Sequence, residues 1–134
     1  MCFRQIKLVL QLLVFLYSAS CAIQQVETEH FYIIYQKGDE YWVNKTIEIA
    51  EDVWDDLIVA YDIVDEYKKI VIQLFDSGDD LASGYAIPKK NKIVVSTTHW
   101  NYRVRSSDKW LRQVLIHELS HIFSLKAASK DGFF

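Results

Sequence analysis

One stretch decides how this chain is read: WLRQVLIHELSHIFSLK, Trp110–Lys126. Val114, Leu115, Ile116, Leu119, Ile122, Phe123 and Leu125 predict a helix that is apolar almost all round, and such a helix is buried. It carries His117 and His121, four residues apart, with Glu118 directly after the first histidine. Residues four apart share a helix face, so both imidazoles can converge on one point. Ser107 or Asp108 supplies a side-chain cap where the helix begins.

Upstream, the pattern alternates between strand and helix. In HFYIIYQKGDE, His30–Glu40, residues Phe31, Ile33 and Tyr35 alternate with Tyr32 and Ile34. Both sides are apolar, which predicts a strand buried on two faces and ended by Gly38 and Asp39. From Tyr41 to Tyr67 the apolar residues Val43, Ile47, Ala50, Trp54, Leu57, Tyr61 and Val64 step by threes and fours, the spacing of a long helix. Glu48, Asp52, Asp55, Asp56, Asp62 and Asp65 occupy the remaining face, and a run of that kind is expected to face water. Ile70–Phe75 forms a second strand, closed by the turn-rich DSGDD.

GYAIPKKNKIVVSTT then reads as a strand pair or a kinked edge strand. Pro88 cannot donate to a sheet ladder, so the segment belongs at an edge. The predicted order is β-α-β-β-α, an α+β or three-layer domain with a small mixed sheet and two long helices.

The 134 residues suffice for one small domain. Residues 1–22 form a leader. Arg4 and Lys7 precede the apolar run Leu8–Tyr17, and SASCA follows, the order of a secretory signal. The run is short for a bilayer span, which takes about 20 apolar residues, so an uncleaved anchor is the lesser reading. Cleavage after Ala22 gives a secreted soluble protein. Cleavage before Cys21 leaves that cysteine to carry a lipid, because YSASC is similar to a bacterial lipoprotein signal, although Ser18 stands where such signals usually have Leu. The expected location is therefore outside the cell or in the envelope, with membrane attachment through a lipidated Cys21 as one form.

Cys2 and Cys21 both lie in the leader, which excludes thiolate ligands and a cysteine nucleophile from residues 23–134. Losing Arg4 and Lys7 with the leader takes the net charge from −3 to −5. An acidic domain is a poor partner for phosphate backbones, and nucleic acid is set aside.

Paired imidazoles one helical turn apart suit zinc, which accepts neutral histidine nitrogen. Glu118 is offset around the helix, where it reaches a water on the metal rather than the metal itself. Two ligands and a general base are the parts of the HExxH arrangement. The competing reading is a pair of core histidines with other partners.

VLIHELSHIF resembles the active-site helix of zincin metallopeptidases. More narrowly, FYIIY, the acidic helix, GYAIP…NKIVV and the histidine helix resemble the gluzincin-like, thermolysin-type peptidases of the bacterial peptidase MA group. The resemblance implies a zincin-like N-terminal subdomain, Zn2+ held by His117 and His121, Glu118 as general base, and a peptide or protein substrate. It also implies an edge strand that binds extended peptide through its backbone, with Gly84–Ile87 or Lys92–Ser96 as candidates and Gly84, Tyr85 and Ala86 in contact with substrate.

The pattern departs from the family at the third ligand. Ser124 and Ala127 stand where the metzincin extension has Gly and His. No Glu follows Glu118, and Asp131 is the one acid that remains beyond it. The expectation is a catalytic subdomain that lacks its C-terminal part, with KAASKDGFF an unnatural domain end. His30 is expected to be structural or exposed, and His99 is a surface-loop residue or a substrate contact. Tyr85 and Trp100 line a pocket or are ordinary aromatics. Asn44 heads an N-glycosylation pattern inside a helix. The alternative to a peptidase is a non-catalytic surface or envelope binding module built on the same framework.

Overall fold

Five short segments with alternating apolar residues assemble into one mixed sheet, seen in a computed structural model of the chain that describes residues 23–63, 68–75, 84–97 and 108–130. The elements are β1 (Ile23–Glu27), β2 (Phe31–Gln36), α1 (Glu40–Ala60), β3 (Ile70–Phe75), β4 (Gly84–Ile87), a 3-10 turn (Pro88–Lys90), β5 (Lys92–Ser96) and α2 (Asp108–Lys130). The strand order is β1-β2-β3-β5-β4. β2, β3 and β5 run parallel, and the edge strands β1 and β4 pair antiparallel with β2 and β5.

Register explains the core. Val26, Ile33, Ile72, Ile93 and Ala86 lie opposite one another across all five strands. Side chains on one strand alternate between faces, so Phe31, Ile70, Leu74, Val95 and Gly84 share the face of that row. Both helices cover this face. Trp54 of α1 stacks edge-on against Phe31 at 5.4 Å, and Phe123 of α2 meets Trp54 at 5.2 Å. The domain is α+β, and among the described residues both helices form one layer on one face of the sheet.

On the other face Tyr32, Ile34, Val71 and Gln73 are half-buried, which corrects the expectation of a strand buried on both sides. Parallel strands usually need cover on both faces. Here both described helices sit on one face, and the second face is half-buried at β2 and β3 but buried at β5, through Val94 and Ser96.

α1 ends at Ala60, short of the predicted Tyr67. The backbone N–H of Ile63 donates to Ile58 O and that of Asp62 to Val59 O, with Asp62 at φ 48°. This pair of bonds is a Schellman closure, in which the left-handed residue is usually glycine. Asp tolerates that conformation better than most residues, and Ile63 is buried beyond it. The apolar spacing ran on through the closure because no glycine marked it. The buried stripe is also wider than predicted, adding Trp42, Thr46, Ile49 and Val53. Glu48, Asp52, Asp55, Asp56 and Asp62 face water as expected, while Asp65 lies outside the described residues.

β1 was not anticipated. IQQVE offers only Val26 to the core, too little apolar pattern to mark a strand. Pro88 opens the 3-10 turn between β4 and β5, so the doubtful segment is a strand pair whose outer member is the edge.

Two polar knots fix one end of the sheet, where parallel β2 and β3 begin side by side. Asn91 adopts φ 51°, and its side-chain amide donates to Lys68 O and Lys69 O, both at 2.9 Å. It ties the β4–β5 connection to the start of β3. Asn91→Ala should cost about 1–3 kcal/mol, from two lost hydrogen bonds and a left-handed backbone that Ala resists. Asn91→Gly should recover the backbone part alone. Urea midpoints of the two variants separate the terms.

In the second knot Glu51 accepts from the His30 backbone N–H at 3.2 Å and also bonds the His30 ring, which stacks on Trp54 at 4.3 Å. His30 is thus structural. Burial alone would raise the Glu51 carboxyl, but hydrogen bonds from Thr28 and His30 outweigh it and hold the pKa below the ordinary 4.5. A depressed folded pKa stabilises the protein above the unfolded value, and that stability is lost as pH falls through the folded one. Below about pH 4.5, wild type should therefore lose urea stability more steeply than Glu51→Gln.

Candidate active site

The direction of each α2 side chain follows from about 100° of turn per residue. Leu111, Leu115, Leu119, Ile122 and Phe123 form the buried face. Relative to Leu115, Glu118 lies about 60° round the helix, and His117 and His121 about 120–160° round on the same side. Glu118 is accordingly only 6 % exposed, while both histidines are exposed. The expectation that all three are buried together is corrected, and with it the reading of the histidines as a core pair. α2 is also not apolar all round in its packing, since Ile116 is 36 % exposed.

The imidazoles do converge. His117 Nε2 and His121 Nε2 are 3.2 Å apart, with ring centroids at 4.8 Å and planes at 88°. Two nitrogens each about 2.0–2.1 Å from one ion at the tetrahedral angle stand about 3.3 Å apart, so the pair has the spacing that zinc requires. Among the described residues, however, no three His, Cys, Asp or Glu side chains group as a metal site. Asp131, His99 and Trp100 lie outside those residues.

Above the helix runs β4. An open cleft of about 390 Å³ is lined by Gly84, Tyr85, Ala86, Pro88, Glu118 and His121. Gly84 sets its depth. A Cβ there would stand 3.0 Å from Val114 Cγ1, 3.0 Å from the Val94 carbonyl oxygen and 3.5 Å from Glu118 Cγ. The Val94 oxygen belongs to β5 and cannot move by a rotamer change, while the Val114 side chain of α2 would have to give by a few tenths of an ångström, so glycine suits this position between β5 and α2. Ala86 shares the helix-facing side of β4, and Tyr85, on the alternate side, is 52 % exposed at the rim.

Of the two stretches expected at an edge, Gly84–Ile87 lies at the edge of the described sheet. Lys92–Ser96 is excluded, because β5 is hydrogen-bonded on both sides, to β3 and to β4. Pro88 was read from sequence only as a sign of the edge, yet it also lines the cleft. The sequence signal available for it was its position one residue past GYAI.

α2 is braced from the other side as well. Arg112 pairs with Asp52 of α1, and Phe123 packs between Trp54 and Tyr61. No described helix is long and apolar enough to cross a membrane, and residues 1–22, which the sequence reads as a leader, lie outside the described residues. No protein-family model matches the chain, and no curated protein matches it either.

Proposed function

We propose that this chain carries the metal-binding helix and substrate strand of an exported zinc-dependent peptidase of zincin-like fold. The observation that carries the reading is the 3.2 Å approach of the two Nε2 atoms beside the buried Glu118, under an edge strand. His117 and His121 would hold the ion, and a third ligand would come from outside the described residues. Zinc when bound supplies Lewis acidity, polarising a carbonyl oxygen and lowering the pKa of water.

The chain's own groups do the rest. Among the described residues β4 has one side free of strand partners, so its backbone can pair with an extended peptide and lay it along the cleft. Glu118, on the cleft wall, takes a proton from the water whose oxygen attacks the peptide carbonyl. It returns that proton to the amide nitrogen as the C–N bond breaks, leaving a carboxylic acid and an amine. Holding the carboxylate on a packed helix fixes its reach to both atoms.

The test is zinc affinity by competition with a chromophoric chelator, paired with hydrolysis of an unstructured peptide mixture. His117→Ala should weaken zinc by more than the 10–100-fold typical of an outer-shell partner and abolish metal-dependent cleavage. Unchanged zinc affinity in this variant and in His121→Ala would remove the metal from the site. A binding module of the same fold would instead retain zinc and peptide affinity and cleave nothing.

A further inference from the structure

The chain is acidic overall, with a net charge of −3, but its charge is not spread evenly. Lys89 and Lys90 sit exposed on the 3-10 turn that follows β4, and Lys92 opens β5. The Asn91 side chain bonds the carbonyls of Lys68 and Lys69 and so brings the start of β3 to the same place. Lys69 is occupied by Glu27. Lys68, Lys89, Lys90 and Lys92 make no ion pair with any described residue. Of the acids on α1, Glu51 reaches this end of the sheet, where it bonds His30 and acts on Lys69, and it makes no ion pair with Lys68, Lys89, Lys90 or Lys92.

The cluster is continuous with the cleft, because Pro88 lines the cleft and Lys89 is the next residue. An extended peptide paired with β4 that continues past Ile87 must run out over this turn, at about 3.3 Å per residue. We propose that the lysines at the Pro88 end make the cleft selective for peptides that carry acidic residues on that flank. The inference rests on the cleft being a peptide site, as argued above. Ammonium groups that no described carboxylate engages keep their attraction for a ligand, and each exposed pair formed adds a modest, salt-sensitive gain.

The experiment uses the full chain with zinc, in the Glu118→Gln background so that nothing is turned over. Four fluorescent octapeptides of one apolar core carry Glu-Glu or Gln-Gln on the N-terminal or the C-terminal flank. Binding is read by anisotropy at 20 and 200 mM salt. One Glu-Glu peptide should bind about three- to tenfold more tightly than its Gln-Gln partner at low salt, and the gap should shrink at high salt.

Lys89→Gln/Lys90→Gln should erase the preference, and Lys89→Glu/Lys90→Glu should reverse it. Both sites are exposed, and matching circular dichroism spectra verify the fold. Equal binding of Glu and Gln peptides, or a preference that survives in both variants, overturns the proposal. So does lysine-dependent binding to phosphatidylserine vesicles without any peptide preference, which would make the cluster a membrane contact. Hydrolysis by the Glu118 protein is scored separately: absence of cleavage alongside a lysine-dependent binding preference defeats the peptidase reading alone, and cleavage without that preference defeats the selectivity alone.

Discussion

Glu118→Gln should reduce peptide hydrolysis by about 10²–10⁴-fold, the usual worth of a positioned general base, while leaving zinc affinity within about twofold. Gln keeps the shape of Glu and can still bond a water, but it cannot accept the water's proton. Glu118 makes no ion pair with a described residue, so the exchange leaves no partner charge stranded. Its Cγ already stands 3.5 Å from where a Gly84 Cβ would be, and an isosteric replacement respects that space. kcat should fall with KM little changed, since the proton moves only as the reaction proceeds. A variant that retains wild-type kcat, or that loses zinc in parallel, would remove Glu118 from the role of base.

The largest stability effect should come from Phe123→Ala, at about 3–5 kcal/mol. Phe123 is fully buried and touches both Trp54 at 5.2 Å and Tyr61 at 6.0 Å. Truncation leaves a cavity at the junction of the two helices and also removes an edge-to-face ring pair. A domain of this size has about 5–15 kcal/mol in total, so the variant should sit close to unfolding. The urea midpoint should fall sharply with an unchanged slope, whereas Phe123→Leu should retain most of the stability. A loss below about 1 kcal/mol would place the mechanical link between α1 and α2 elsewhere, at the Arg112–Asp52 pair for example.

What the sequence disclosed depended on how regular each signal was. The histidine pair was legible because helical spacing alone brings residues four apart together, whatever packs around them. Which of the three polar residues would be buried was not legible. The angle from the Leu115 face ranks Glu118 nearest the core, but Val114, Ile116 and Leu125 blur that face in the sequence, and how far the side chain is covered depends on β4. Glu118 packs beside Gly84 of the edge strand, and those residues are 34 apart in the chain. β2, β3 and β5 were found by their apolar alternation. β1 was missed because an edge strand with one core residue resembles a polar loop. α1 was overrun because aspartate took a position where glycine would have punctuated the helix. The edge status of Gly84–Ile87 over Lys92–Ser96 is a property of strand order, which local alternation does not reveal.

The polar side chains of the cleft and the apolar anchors of the core alternate along the same two turns of α2. Leu115, Leu119, Ile122 and Phe123 interleave with His117, Glu118 and His121. Such a segment has no hinge at which the cleft-lining part could open while the anchored part stays shut. Amide protons from Ile116 to Phe123 should consequently exchange with deuterated solvent only when the whole domain opens, and at a common free energy. Chemistry carried on this helix is then as durable as the protein itself: warming should extinguish activity and tertiary structure in one step, with no inactive but folded species between them.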